Sequence, residues 1–326
     1  MRILVAGSSG FIGGRLCNYL ADEGFEVVAL YNKNPPNDEK WKAKMLDIVQ
    51  IDLSSLDQVA SLSHFKPEAI INLISLDHID SNGDPEIVTK NNILPTWNLL
   101  KHFSKQGIKK FIYLSTIHVY GKELNGVITE NSPVLPASPY GLTHLFSEEV
   151  INMFAREGDF ECYKIRFSNG FGAPQFMKNN CWGIVINNLC LSVWKSQSIV
   201  LKSDGTPIRD FMNITDLLIG IKQILSGSKN VIDSKHYKTL NFSSNNTISM
   251  IEAAFIVKNV YEKKYNKEAN IFINENQPIL FFKSSESKKY LIDNSLFLDL
   301  MGGNALHDME FGINEIFNFL DNSEKR

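Results

Sequence analysis

The stretch RILVAGSSGFIGGRL, residues 2–16, runs from a short apolar strand pattern through Gly7, Gly10 and Gly13 into a helical pattern. Gly7 permits a tight turn, Gly10 lets backbone approach a pyrophosphate, and Gly13 allows close packing of the helix. The helix that opens at Phe11 and Ile12 turns its free N–H groups, and the positive end of its dipole, towards the same point. Strand, glycine turn and helix in this order form a dinucleotide-binding element. They also commit the first half of the chain to an α/β fold.

Strands and helices keep alternating downstream. EVVALY is a second strand, MLDIVQIDL contains a third, and EAIINLIS, KKFIYLST and ECYKIRFS supply the fourth to sixth. The stretch PEIVTKNNILPTWNLLKHFSKQG has helical spacing and a stop at Gly107. Nearly all-apolar strands separated by helices imply a parallel sheet covered on both faces. Beyond about residue 169 the elements shorten. WGIVINNLCLSVW is helical, and LKSDGTPIRDFMNITDL is a strand–turn–strand leading into a helix. The expected architecture is therefore a Rossmann-type doubly wound parallel sheet with a smaller, irregular α/β substrate-binding region. Residues 1–168 plus roughly 212–243 make the first part, and roughly 169–211 plus 244–326 the second.

A net charge of −3 over 326 residues gives no pull towards nucleic acid or an anionic membrane. No apolar run is long enough for a membrane span and no secretory leader is evident, which points to the cytoplasm. Cys17, Cys162, Cys181 and Cys190 lack metal-ligand spacing, so they are expected to be buried, unpaired thiols.

Together, the glycine loop, NNILPTWNLL, LSTIHVYG, SPYG, IRFSNGFGAP and DGTPIRDFMNITD resemble the extended short-chain dehydrogenases/reductases that act on nucleotide sugars. The resemblance implies catalytic roles for Thr116 and Tyr140, with His144 where the family's Tyr-x-x-x-Lys motif has lysine. It implies cofactor contacts at Asp52 and Leu53, where the family places an aspartate against adenine, and at Asn92, Tyr140 and His144. Substrate contacts would fall on Thr116, His118, Asn169 and Arg209, with Arg209 on the diphosphate of a nucleoside-diphosphate sugar. A homodimer is implied as well. At the end of the second strand, Asn32 and Lys33 replace the usual ribose-binding carboxylate. NAD(P) is the expected cofactor, with NADP favoured over NAD.

The histidine carries a mechanistic expectation. Lysine hydrogen-bonds the nicotinamide ribose and its fixed charge favours tyrosinate. Neutral imidazole keeps a donor and an acceptor but titrates near 6.5, against about 10.4 for lysine. Tyr140 then serves better as a proton donor than as a base, which favours a 4-ketoreductase over a 4-epimerase or a 4-dehydrogenase. A non-catalytic nicotinamide or nucleotide-sugar binding protein is the alternative of another class. Ile117-His118 replaces the Asp-Glu of the family's 4,6-dehydratases, which disfavours that reaction. His118 could face the sugar, and His78 sits in another loop at the active-site end.

Overall fold

The apolar runs of the first half become parallel strands because each is hydrophobic on both sides and needs a helical cover on either face. A computed structural model describes residues 1–227, 237–273, 278–279 and 290–324. Strands β1 (Arg2–Ala6), β2 (Glu26–Tyr31), β3 (Asp47–Gln50), β4 (Ala69–Asn72) and β5 (Lys110–Thr116) alternate with helices. These are α1 (Phe11–Asp22), the single turn α2 (Glu39–Lys42), α3 (Leu56–Ser61), α4 (Pro85–Asn92) and α5 (Leu94–Phe103). Strand β6 (Gly126–Ile128) precedes α6 (Pro139–Glu157), which leads into β7 (Glu161–Phe167) and β8 (Asn169–Phe171). Next come α7 (Val185–Ser196), β9 (Ser198–Leu201), β10 (Ile208–Asn213), α8 (Ile214–Ser226), β11 (Tyr237–Phe242) and β12 (Thr247–Ser249). The chain ends with α9 (Met250–Tyr265), β13 (Asn270–Ile273), β14 (Tyr290–Ile292), α10 (Ser295–Leu300) and α11 (Met309–Glu324).

Seven strands form one sheet in the order β3-β2-β1-β4-β5-β7-β11, and every pairing is parallel. Alternate residues of β1 enter opposite cores. Ile3 and Val5 pack with Leu16 and Leu20 of α1 and Ile221 of α8, while Leu4 and Ala6 pack with Leu99, Phe103 and Val150 from α5 and α6. The winding reverses between β1 and β4, which opens a crevice at their carboxyl ends. A third core, around Phe171, Ile199, Phe211, Val257 and Phe317, lies beneath the small sheet β8-β10-β12 and the pair β9-β13. All four cysteines are buried and unpaired.

Two sequence expectations change. The long helix before β5 is two helices, α4 and α5, because Pro95 lacks an N–H and lies in the first turn of the second. The expected strand–turn–strand leading into a helix is present as β9, β10 and α8, with β9 paired to β13, and β10 to β8 and β12. Phe297, Leu300 and Met301, from the expected second part, pack into the first core beside α8.

Helix α6 is fastened to the sheet by a buried polar clamp. Ser115 Oγ donates to Glu148 Oε1 at 2.6 Å, and Arg166 grips the same carboxylate through Nε (3.1 Å) and Nη2 (2.7 Å). The guanidinium also lies 4.8 Å from the centre of the Tyr120 ring. Removing one partner of such a pair leaves the other charge buried and uncompensated. Arg166→Met is expected to lower folding stability by about 3–5 kcal/mol, read as a lower denaturant midpoint at an unchanged m-value.

Candidate active site

The glycine turn closes on itself. Gly7 N and Ser8 N both donate to Leu30 O, at 3.1 and 3.0 Å, and Gly10 N donates to Gly7 O at 3.0 Å. Gly7 has φ +86°, in the left-handed region. A Cβ on Gly13 would fall 2.1 Å from Gly7 O, so only glycine lets α1 sit this close to the turn. No side chain caps α1 and no acidic residue occupies its first turn, which leaves the first N–H groups beyond Gly10, on Phe11 and Ile12, without a side-chain acceptor. Turn, close approach and uncapped helix end together fit the diphosphate of a dinucleotide. Asn179, which the sequence reading did not single out, braces the turn by donating to Ser9 O at 2.8 Å.

The adenosine side is less specific. Asn32 and Lys33 are exposed. Asn32 O accepts from Gln50 Nε2, and Lys33 forms no ion pair among the described residues. Nothing therefore aims Lys33 at a 2′-phosphate. The Asp52 carboxylate accepts from Ser54 N and Oγ and lies 3.3 Å from Lys90 Nζ. The Ser54 hydrogen bond, assisted by Lys90, holds its pKa below the ordinary carboxylate value. Leu53 is buried, and its carbonyl, with that of Ser54, accepts from Asn98 Nδ2. Asn98 thus shapes this loop, and no sequence motif marks it.

At the carboxyl end of β5, Thr116 stands near the Tyr140 phenol, close enough to influence its titration. Tyr140 occupies the first turn of α6, and its ring centre lies 4.6 Å from that of His144, so the two do share a helix face. Burial raises the phenol pKa, the neighbouring Thr116 hydroxyl opposes that rise, and the Asp77 carboxylate reinforces it.

His144 does not take the place expected of it. Only 2% exposed, its ring is turned into the protein, with Nδ1 2.9 Å from Tyr113 Oη and Nε2 3.0 Å from Ser75 Oγ. Ser75 Oγ donates its own proton to Leu76 O at 2.8 Å. Nε2 of His144 must therefore donate to Ser75, and Nδ1 must accept from Tyr113, a chain that needs a neutral imidazole. Burial, reinforced by the charge on His118, pushes the His144 pKa down to about 3. Both ring nitrogens are spent within the protein, so His144 offers nothing to a nicotinamide ribose and no charge to Tyr140.

Asn92 is likewise engaged internally. It accepts from Leu76 N (2.8 Å), and its Nδ2 donates to Ser81 Oγ (3.2 Å) and Thr143 Oγ1 (3.0 Å). With His144 it fastens the loop after β4 to α6. Tyr113 and Ser75 escaped the sequence reading because their partners are distant in the chain and carry no local pattern.

Strand β10 carries Arg209 and Asp210 side by side. Arg209 is exposed, and its Nη1 donates to its own neighbour's carbonyl, Ile208 O, at 2.9 Å. It forms no ion pair among the described residues. The adjacent Asp210 points to the opposite side of the strand, where it is fully buried and accepts from Ser244 and Asn246. Asn169 Nδ2 donates to Asp210 O at 2.8 Å, tying β8 to β10. His118 stands exposed in the cleft with its ring centre 5.7 Å from that of Tyr140. Enclosure by the cleft walls, then the charges of Arg209 and His78, hold its pKa below the usual histidine value.

Residues 3–238 match the model of the family described as NAD dependent epimerase/dehydratase. The UDP-glucose 4-epimerase of Bacillus subtilis is 27% identical over 302 residues, 85% of this chain and 86% of that protein. A putative UDP-glucose 4-epimerase of Methanocaldococcus jannaschii is 25% identical over 330 residues, 99% of each chain. Among solved structures, the UDP-glucuronic acid 4-epimerase of Bacillus cereus, in complex with UDP-glucuronic acid and NAD, superposes with a TM-score of 0.77. It is 22% identical, covers 99% of this chain and 100% of its own, and shares the fold.

The buried imidazole has a consequence for stability. An unfolded histidine titrates near 6.5, whereas His144 titrates at about 3. Between those values the unfolded chain binds a proton that the folded chain does not, so stability falls with falling pH, by at most about 1.4 kcal/mol per pH unit. His144→Gln, which cannot titrate, is expected to flatten the slope between pH 6.5 and 4 in denaturant melts.

Proposed function

The chain belongs to the NAD-dependent epimerase/dehydratase family, and from that premise we propose that it interconverts C4 epimers of a uridine-diphosphate sugar. The observation that carries the reading is the placing of Thr116 near Tyr140 at the carboxyl ends of the strands, on the same sheet as a glycine turn that fits a dinucleotide diphosphate. Curated relatives across most of the chain bear the epimerase name, which outweighs the ketoreductase that the missing lysine alone favours. The proposed cofactor is NAD: relatives of this fold are seen with it, and Lys33 is exposed with no ion pair among the described residues to aim it at a 2′-phosphate.

In this reading NAD, once bound, supplies a reversible two-electron acceptor for C4. Gly7, Gly10, Phe11, Ile12 and Gly13 hold its diphosphate, and Asp52 and Leu53 line the adenine. Thr116 and Tyr140 hydrogen-bond the C4 oxygen and pass its proton. Arg209, free of a carboxylate partner, swings its fork onto the sugar diphosphate, with Asn169 beside it. Residues 1–168 with 212–243 serve the cofactor, and 169–211 with 244–326 the substrate, though parts of both lie outside the described residues. No helix among the described residues is long and apolar enough to cross a membrane, and we place the enzyme in the cytoplasm.

Two experiments test the reading. Protein denatured as purified should release NAD, seen by mass spectrometry, and should convert UDP-glucose to UDP-galactose or UDP-glucuronate to its C4 epimer, followed by NMR. Tyr140→Phe should lower kcat by about 10²–10⁴-fold. Net reduction of a 4-keto sugar with release of oxidised cofactor, and no epimerisation, would return the ketoreductase.

Ile87, Leu142, Phe146 and Met153 leave an apolar strip exposed on α4 and α6, with Trp97 stacked on Phe146. We assign it to a homodimer contact. Sedimentation should give a dimer for the native chain and a monomer for Phe146→Glu.

A further inference from the structure

An epimerase must take a proton from the C4 oxygen in one half-reaction and return it in the other. In this chain Tyr140 has no neighbouring cation on its helix face to help it hold that proton vacancy. Burial and the Asp77 carboxylate both disfavour the phenolate, and His144, the group on its own helix face, is neutral with both nitrogens occupied. Resting on the epimerase reading, the question is which group receives the proton.

Three observations single out His118. Its ring centre is 5.7 Å from that of Tyr140, at an interplanar angle of 75°. Its ring nitrogens make no hydrogen bond among the described residues, and the side chain opens into the cleft. Its backbone is fixed at the reacting centre: His118 N donates to Thr116 Oγ1 at 3.2 Å, and its carbonyl accepts from Gly121 N. Gly141 packs on that same carbonyl, where a Cβ would come within 2.7 Å of the oxygen. One imidazole beside Tyr140 is therefore sealed into the protein, and the other is free.

We propose that His118 is the proton partner of Tyr140, doing the work that the family's lysine assists. As C4 is oxidised, its hydroxyl proton passes to the Tyr140 oxygen, and Tyr140's own proton passes to a ring nitrogen of His118, directly or through one water. The C4 hydrogen leaves with its electron pair to oxidised NAD, which the proposed function supplies. On reduction the protons return in reverse order, leaving Tyr140 a phenol and His118 neutral.

The groups facing His118 suit a proton that must come back. Arg209 on β10 and His78 in the loop after β4 disfavour its charged form. His144 and Tyr140 flank it from α6, and Asp77 lies near Tyr140 on the same loop as His78. The imidazole is a base at neutral pH and releases its proton readily.

The test compares native protein, His118→Asn and Tyr140→Phe. The native kcat should fall on the acid side of a single ionisation below pH 6.5. His118→Asn should lose about 10²–10⁴-fold in kcat with little change in KM, lack that acid limb, and regain activity with added imidazole. Independently of turnover, the His118 Cε1–H resonance of the nucleotide-free protein should titrate below 6.5 and shift its midpoint in Tyr140→Phe. His118→Asn with native kcat and pH profile, in a protein whose melting is unchanged, overturns the proposal. If His118→Asn fails to fold, or if the native protein epimerises nothing and so sinks the functional reading, the NMR titration decides. An identical His118 midpoint with and without the Tyr140 hydroxyl then overturns the role of His118.

Discussion

The site depends on how α6 is held against β5. A helix repeats its face every three to four residues and a strand every two, so His144 and Glu148 of α6 meet Tyr113 and Ser115 of β5 in register. The second contact is a buried carboxylate gripped in two places by Arg166. Desolvated charges tolerate little displacement, because moving either leaves the other uncompensated. That rigidity fixes the first turn of α6, and with it the distance from Tyr140 to Thr116.

The first contact reads differently from its appearance in sequence. A lysine at residue 144 would carry its charge on a long flexible stem, whereas histidine ends close to the backbone and finds Tyr113 and Ser75 within reach. Once both nitrogens are hydrogen-bonded and the ring is buried, protonation would break one bond and place a charge in a poorly solvated site. The residue becomes a neutral strut between α6 and the loop after β4. Asn92 braces the same loop from the other side, through Leu76 N, Ser81 and Thr143. The loop that carries Asp77 and His78 is thereby fastened to its surroundings, while His118 stays exposed.

Which features were legible in sequence follows from their range. The glycine turn was legible because its requirements are local: a positive φ at Gly7 and a missing Cβ at Gly13 are properties of single residues a few positions apart. The sharing of a face by Tyr140 and His144 followed from helix geometry in the same way. The break between α4 and α5 was also written locally, in Pro95, though helical periodicity on both sides masked it. The pairings of β9 with β13 and β10 with β12 were not legible, since strand partners come from distant segments and a turn-like DGTP need not close a hairpin.

By itself the sequence determined a doubly wound parallel sheet and the glycine turn, because periodicity and glycine sterics act over short distances along the chain; the roles of Thr116 and Tyr140 came only with the family resemblance. The tertiary structure alone decided what each polar side chain touches. Asp210 turned inward to Ser244 and left Arg209 free, Asn92 became a brace, and of two histidines beside one tyrosine it buried one and exposed the other. Hydrogen-bond partners and desolvation are set by what folding brings near, and no spacing within the chain encodes them.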